Sequence, residues 1–169
     1  GRDDLAALER GLPNLLQHVD NIKNVFGLPC VVAVNAFPTD TAAELRLVED
    51  KCRELGVRVA LSEVWAKGGE GGRALAEEVV RLCGQPSDFR YSYDLDGSIE
   101  DKLEAICRRV YRADGVALTP AAKKQAQRLT ELGFGGLPIC MAKTQYSFSD
   151  NAELLGAPEN FTVTVRNLK

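Results

Sequence analysis

Apolar residues in this chain recur at helical spacing in some stretches and form short continuous runs in others. The first 26 residues keep an apolar stripe at helical spacing, and Pro13 is expected to restart the helix because its fixed φ suits a first turn. Residues 30–34 form a continuous apolar run, which is typical of a buried parallel strand. Residues 57–61 have the same character, so the pattern predicts a second strand there.

Three segments carry the residue types that start helices. Residues 41–44 have the form of a capping box, and Ser98 can cap another helix with Asp101 at its third position. Thr119 followed by Pro120 pairs an N-cap with a proline at the first helical position. We therefore expect a helix to begin at each of these points.

The rest of the chain continues the alternation of helices and strands. Residues 73–83 have helical spacing. Strands are predicted at 89–93, 137–142 and 161–166. Residues 143–160 are expected to be mostly loop, with one helical turn near Glu153. Such an order predicts an α/β fold, with a mostly parallel sheet, helices on both faces and three layers of the P-loop NTPase-like or Rossmann-like kind. No linker is evident, so residues 1–169 are expected to form a single α/β segment.

Composition narrows the classes of function. The net charge is −3 and no face is basic, which argues against nucleic-acid binding. No apolar run reaches the roughly 18 residues of a membrane span, and no signal peptide opens the chain. The five cysteines form no CxxC pair, so we predict no metal site and expect reduced, buried thiols in a cytoplasmic protein. His18 is the only histidine, which leaves no Ser/His/Asp or Cys/His set, and a solvated helix position is its simplest interpretation.

Unusual polar and aromatic residues gather in three loops, each placed after a predicted strand: residues 35–40, 63–72 and 143–150. Open parallel sheets bind ligands beyond the carboxyl ends of their strands. If the first two strands are neighbours, Phe37 and Trp65 could face one another across a slot for a flat ring such as a purine or pterin, with Pro38 stiffening the turn. The sequence equally allows Phe37 to be a plug under its loop and Trp65 to be a core residue.

The second loop is rich in glycine. Residues 67–72 read Lys-Gly-Gly-Glu-Gly-Gly, and four glycines suggest a close backbone approach to a ligand, although no Walker A motif occurs in the chain. Lys67 could meet a phosphate or carboxylate, and Glu70 could bind a ring N–H or favour the following helix N-terminus. In the third loop Lys143 and its neighbours could hold a phosphate or substrate tail, or form a solvated loop around a buried Tyr146.

Three segments together resemble one family, formate–tetrahydrofolate ligase (10-formyltetrahydrofolate synthetase), of the bacterial single-function type. They read VVAVNAFPTDT (31–41), ALSEVWAKGGEGG (60–72) and LPICMAKTQYS (137–147), and the resemblance covers nearly the whole chain. It implies ATP-dependent joining of formate to tetrahydrofolate through formyl phosphate. It also implies magnesium with ATP, a monovalent cation, and a homotetramer.

The resemblance implies that Phe37 and Trp65 hold the folate ring and that the second and third loops line the same cleft. No residue is assigned a catalytic role. The candidate substrate-binding residues are Phe37, Pro38, Thr39, Trp65, Lys67, Gly68, Gly69, Glu70, Gly71, Lys143, Thr144 and Gln145.

One departure from the family pattern bears on activity. Complete members are much longer and carry a P-loop in their amino-terminal part, whereas this sequence has none, so it resembles a carboxy-proximal fragment. We therefore expect the chain to need the remaining parts of the ligase and to form no formyl phosphate by itself. Two alternatives stay open: a free-standing pterin- or purine-binding module without catalytic activity, and a structural segment with a degenerate slot.

Overall fold

The computed structural model describes residues 4–142 and 147–169. The chain divides into two compact units, Gly1–Phe89 and Arg90–Lys169. Each contains a pair of parallel strands with helices packed on them, so the predicted α/β class is confirmed. That both units belong to one larger α/β segment stays a prediction.

The first unit alternates helices and strands along its whole length. Its elements are α1 Leu5–Asp20, a π-helical turn Asn21–Val25, β1 Val31–Asn35, α2 Ala42–Glu54, β2 Arg58–Ser62, α3 Val64–Lys67, a 3₁₀ turn Gly68–Gly72 and α4 Arg73–Cys83. The expectation that Pro13 restarts a helix is wrong, because this residue lies inside the continuous helix α1. A proline there removes one helical hydrogen bond, and burial of Leu12 and Val19 on the same helix offsets that cost.

Strands β1 and β2 pair in parallel, in register from Val31↔Arg58 to Asn35↔Ser62. The core on one face of this sheet joins Val32 to Val19 of α1 and Cys52 of α2. Arg58 neighbours Val59 along β2 and therefore points to the opposite face, where it forms an ion pair with Glu78 of α4. Within this unit, helices thus cover both faces of the sheet.

Glu78 is a buried carboxylate that links α4 to strand β2. Its side chain is only 10 % exposed and accepts hydrogen bonds from Arg81, at 2.6 and 2.9 Å, and from Arg58, at 3.0 Å. The hydrogen bonds from Arg81 and the single one from Arg58 lower the pKa of this carboxyl from 4.5 to about 2, although burial opposes the shift.

The pKa of Glu78 gives the stability of the first unit a defined pH dependence. Because the folded-state pKa is lowered, the stabilisation is complete above pH 4.5 and is lost as the pH falls towards about 2. We expect Glu78→Gln to reduce the loss of stability across this range, as measured by chemical denaturation at a series of pH values. The exposed neighbour Glu77 supplies the control, and a Glu77→Gln profile that changes as much as that of Glu78→Gln would contradict the assignment.

Within its described residues, the second unit has fewer strands than the sequence predicts. Its elements are α5 Ile99–Arg109, β3 Gly115–Leu118, α6 Pro120–Glu131 and β4 Thr162–Val165. β3 and β4 are parallel, in register from Gly115↔Thr162 to Leu118↔Val165. The core contains Leu103 and Cys107 of α5, Ala126 of α6 and Val163 of β4.

The three predicted helix starts are confirmed. Thr41 and Glu44 form a capping box at α2, and Ser98 and Asp101 form another at α5. The Thr119 side chain caps α6 by accepting from the backbone N–H of Ala122, with Pro120 at the first helical position. These starts follow from residues three apart in sequence, so local chemistry is sufficient to predict them.

Two predicted strands are wrong. Residues 89–93 and 137–142 are irregular, and both Phe89 and Leu137 are more than half exposed. A side chain joins the two segments: the Tyr93 hydroxyl accepts from the Ile139 N–H at 2.9 Å and donates to the Ile139 carbonyl at 3.2 Å. The backbone of residue 139 is thus satisfied by a phenol rather than by a strand partner. The four-residue strand β3 was not predicted, because it is too short to show a pattern.

Candidate functional site

The carboxyl ends of β1 and β2 lie side by side in the first unit. Asn35 is in register with Ser62, and the parallel ladder continues one residue further, where the Ala36 N–H donates to the Ser62 carbonyl at 3.0 Å. Phe37 follows two residues after β1, and Trp65 follows three residues after β2. The register of the strands therefore places the start of both loops at one edge of the sheet.

The two aromatic rings stack on one another at this edge. Their centroids are 6.1 Å apart and their planes differ by 22°. Phe37 is 52 % exposed and Trp65 is 55 % exposed, so Phe37 is not a plug under its loop and Trp65 is not a core residue. The Trp65 Nε1–H donates to the Ala36 carbonyl at 2.9 Å, which fixes the edge of the indole to the backbone of the neighbouring loop.

The gap between the rings is narrower than the sequence-based expectation of an open slot. A planar ring held between two others needs about 7 Å between the outer planes, twice the contact distance of ~3.5 Å. The separation of two planes cannot exceed that of their centroids, here 6.1 Å. The pair is therefore closed, and it can take a ring only by widening by about 1 Å, or by offering an outer face.

The glycines of the second loop serve two different purposes. A Cβ at Gly71 would lie 2.5 Å from the Glu63 carbonyl oxygen, so this close approach is to the chain's own backbone. The Glu63 N–H donates to the Gly71 carbonyl at 3.1 Å and closes the turn that carries Trp65. By contrast, nothing lies within 4 Å of a Cβ at Gly68 or Gly69, and Gly68 has a φ of +58°, which favours glycine.

The two charged residues of this loop are occupied by intramolecular partners. Lys67 forms an ion pair with Glu63 at 2.7 Å, and Glu70 forms one with Arg73 at 2.6 Å. All four side chains are at least 43 % exposed, and such pairs contribute little to stability because water screens them. A ligand charge could therefore displace either partner at small cost.

The remaining candidates are only partly described by the structure. Pro38 and Thr39 are exposed at the tip of the Phe37 turn. Lys143, Thr144 and Gln145 lie outside the described residues, as does Tyr146. Their roles stay predictions.

Sequence reasoning missed two contacts of the aromatic pair. One is the Ala36 carbonyl, a backbone group that a residue type cannot reveal. The other is Asp40, whose carboxylate accepts from the Phe37 N–H at 2.8 Å. An aspartate three residues after an aromatic, at a proline-containing turn, is a signal that could have found it, since aspartate side chains often bond nearby backbone in turns.

A cavity lies within the second unit. It measures about 850 Å³ and is lined mainly by apolar side chains, with Ala142 and Ser147 in its wall. These residues border both sides of the undescribed segment 143–146.

The thiols differ from the sequence-based expectation in part. Burial raises the pKa of the Cys107 thiol to about 12, and burial also raises the pKa of Cys30 and Cys52. Cys83 and Cys140 are exposed, so the expectation of buried thiols is wrong for these two. Among residues 4–142 and 147–169, no group of three or more His, Cys, Asp or Glu side chains could hold a metal ion.

Taken together, the fold and the site define an α/β protein that presents an exposed aromatic pair where two parallel strands end. No helix within the described part of the chain has both the length and the apolar character needed to cross a membrane. The sequence matches the formate–tetrahydrofolate ligase family over residues 1–169, and the chain therefore belongs to this family of ATP-dependent ligases that act on formate and tetrahydrofolate.

Proposed function

We propose that this chain provides the folate-binding part of a ligase that forms 10-formyltetrahydrofolate from formate and tetrahydrofolate through formyl phosphate. The observation that carries the proposal is the exposed stack of Phe37 and Trp65 at the carboxyl edge of β1 and β2. Two half-exposed aromatic rings in contact leave apolar surface in water, which a flat aromatic ligand would cover.

Binding between the rings requires the pair to open by about 1 Å. That movement breaks a ring contact of the order of ~1 kcal/mol and replaces it with two contacts of the same kind, one on each face of the ligand. The exchange is favourable for a planar bicyclic ring such as a pterin. It would leave the indole bonded to the Ala36 carbonyl, because that bond lies at the edge of the ring and not on its face.

The glycine-rich loop is proposed to contact the polar part of the same ligand. The backbone of Gly68 and Gly69 is open: a Cβ added at either position would have no neighbour within 4 Å, so a ligand can approach closely. Lys67 and Glu70 can exchange their exposed intramolecular pairs for ligand groups. Lys143, Thr144 and Gln145 remain proposed contacts from the third loop.

ATP is proposed to bind mainly outside this chain. The sequence has no P-loop to hold the phosphates of ATP and the magnesium ion bound to them, so the groups present do not fit magnesium-bound ATP. Formyl phosphate formation is therefore assigned to the remaining parts of the ligase. The monovalent cation, the homotetramer and a cytoplasmic location are proposed from the family alone.

Titration of the purified chain with a tetrahydrofolate analogue tests the proposal. Trp65 is the only tryptophan, so its emission reports directly on the proposed site. We expect a saturable change in emission, together with no formate-dependent ADP release by the chain alone. An emission that stays constant up to millimolar analogue would exclude the folate site, and ADP release would contradict the assignment of phosphoryl transfer to other parts.

The alternative is a free-standing binding module without activity. It shares the aromatic pair and differs only in lacking a partner that carries the phosphate-binding loop. Reconstitution discriminates between the two, because only the ligase proposal predicts formate-dependent ADP release once a polypeptide with a P-loop is added.

A further inference from the structure

We propose that Asp40 is a positioning residue of the aromatic pair, which holds the Phe37 ring against Trp65 through the backbone of the intervening turn. The part of this inference that concerns folate affinity rests on the proposed function. The part that concerns ring geometry does not, because the geometry can be measured in the chain without ligand.

The two rings are anchored in different ways. The Trp65 indole stacks on Phe37 and also donates to the Ala36 carbonyl at 2.9 Å, so its edge is fixed by a directional bond. A phenyl ring offers no such bond, and Phe37 is 52 % exposed. The position of the Phe37 ring therefore depends on where its backbone is held.

Asp40 binds both polar backbone groups of Phe37. Its carboxylate Oδ2 accepts from the Phe37 N–H at 2.8 Å, and its own N–H donates to the Phe37 carbonyl at 3.0 Å. The Phe37 N–H is the first backbone donor after the ladder ends at Ala36. These two bonds close a four-residue turn around Pro38 and Thr39, and they leave only the side-chain torsions of Phe37 free to move.

The Asp40 carboxylate takes no part in the capping box at the start of α2. That helix is capped by Thr41 and Glu44: the Glu44 N–H donates to Thr41 Oγ1 at 3.3 Å, and the Thr41 N–H donates to Glu44 Oε2 at 2.9 Å. The Asp40 side chain is directed instead to the residue that carries the ring. Loss of the Asp40 carboxylate and loss of the Thr41 cap should therefore have different consequences.

This arrangement lets the pair open without losing its alignment. Since the turn fixes the Phe37 backbone and the Ala36 carbonyl fixes the indole, the widening of about 1 Å must come from small side-chain rotations. Without the carboxylate the turn samples more conformations, and a ligand must restrict them when it binds. Asp40 therefore acts on affinity through pre-organisation of Phe37, without touching the ligand.

Three variants of the full chain test the inference, each measured without and with a tetrahydrofolate analogue. For Asp40→Ala we expect loss of the nuclear Overhauser contacts between the Phe37 and Trp65 rings in the free protein, and a dissociation constant about tenfold higher, as for loss of a hydrogen bond to a charged group. Asp40→Asn keeps an acceptor for the Phe37 N–H and should preserve both readouts. Thr41→Ala should lower the melting temperature while leaving the ring contacts and the dissociation constant unchanged.

The outcomes separate this inference from the proposed function. Ring contacts retained in Asp40→Ala, or lost equally in Asp40→Asn and Thr41→Ala, would overturn the positioning role. A wild-type chain that binds no folate analogue would remove the proposed function, while the ring contacts of the free variants would still decide the role of Asp40. Loss of ring contacts in Asp40→Ala alone supports it.

Discussion

Trp65→Ala is expected to weaken binding of a tetrahydrofolate analogue by about 1–3 kcal/mol, or roughly 5- to 150-fold in the dissociation constant. The variant removes one face of the aromatic pair, and with it the bond that ties the second loop to the Ala36 carbonyl. Because the variant has no tryptophan, its affinity is measured by isothermal titration calorimetry. The side chain is 55 % exposed, so we expect the fold to persist.

Trp65→Phe is the matched control for this experiment. It keeps an aromatic face opposite Phe37 and loses only the indole N–H, so its affinity should fall between those of the wild type and Trp65→Ala. Equal affinities for all three proteins would remove Trp65 from the binding site. An equal loss in both variants would assign the effect to the bond with the Ala36 carbonyl rather than to stacking.

The second large effect is expected for Gly71→Ala, which should reduce the free energy of unfolding of the first unit by about 2–3 kcal/mol. The added Cβ would lie 2.5 Å from the Glu63 carbonyl oxygen and 3.0 Å from the Val64 nitrogen, both backbone atoms that cannot move aside alone. The turn from residue 63 to residue 71 must therefore shift, and Trp65 with it. Chemical denaturation measures the loss, and the tryptophan emission of the native state should change as well.

Gly69→Ala gives the comparison within the same loop. A Cβ at this position has nothing within 4 Å, so the substitution should change stability by no more than about 0.5 kcal/mol. Similar losses in the two variants would show that the loop needs glycine for its backbone flexibility. A loss confined to Gly71→Ala would show that the loop is closed by contact with its own preceding turn.

The sequence predicts those parts of the structure that depend on near neighbours. The capping residues Thr41, Ser98 and Thr119 start helices where expected, because each acts on a backbone group three residues away. The pairing of Phe37 with Trp65 was also predictable, since adjacent parallel strands bring their carboxyl ends together. Whether a ligand occupies that pair stays a prediction.

The wrong predictions concern structural features that depend on a contact with residues distant in sequence. Aromatic and polar residues alternate along 89–93 as they do in a strand, but this pattern does not show whether a second strand lies beside them. In the structure, the Tyr93 hydroxyl forms hydrogen bonds with the backbone of Ile139 instead. In the same way, glycine at position 71 suggests that a ligand approaches the backbone closely. In the structure, the group that lies close to Gly71 is the Glu63 carbonyl. The width of the gap between the rings is a matter of about 1 Å, which no residue pattern records.

The division of the chain into two compact units has a spectroscopic consequence. The sole indole, Trp65, lies in residues 1–89, whereas all four phenols, Tyr91, Tyr93, Tyr111 and Tyr146, lie in residues 90–169. Each half thus carries its own chromophore. Emission excited at the red edge, where only the indole absorbs, follows melting of the amino-terminal half. Tyrosine absorbance, once the overlapping contribution of the indole is subtracted, follows the carboxy-terminal half. A single heating experiment can therefore tell whether the halves melt together or one after the other.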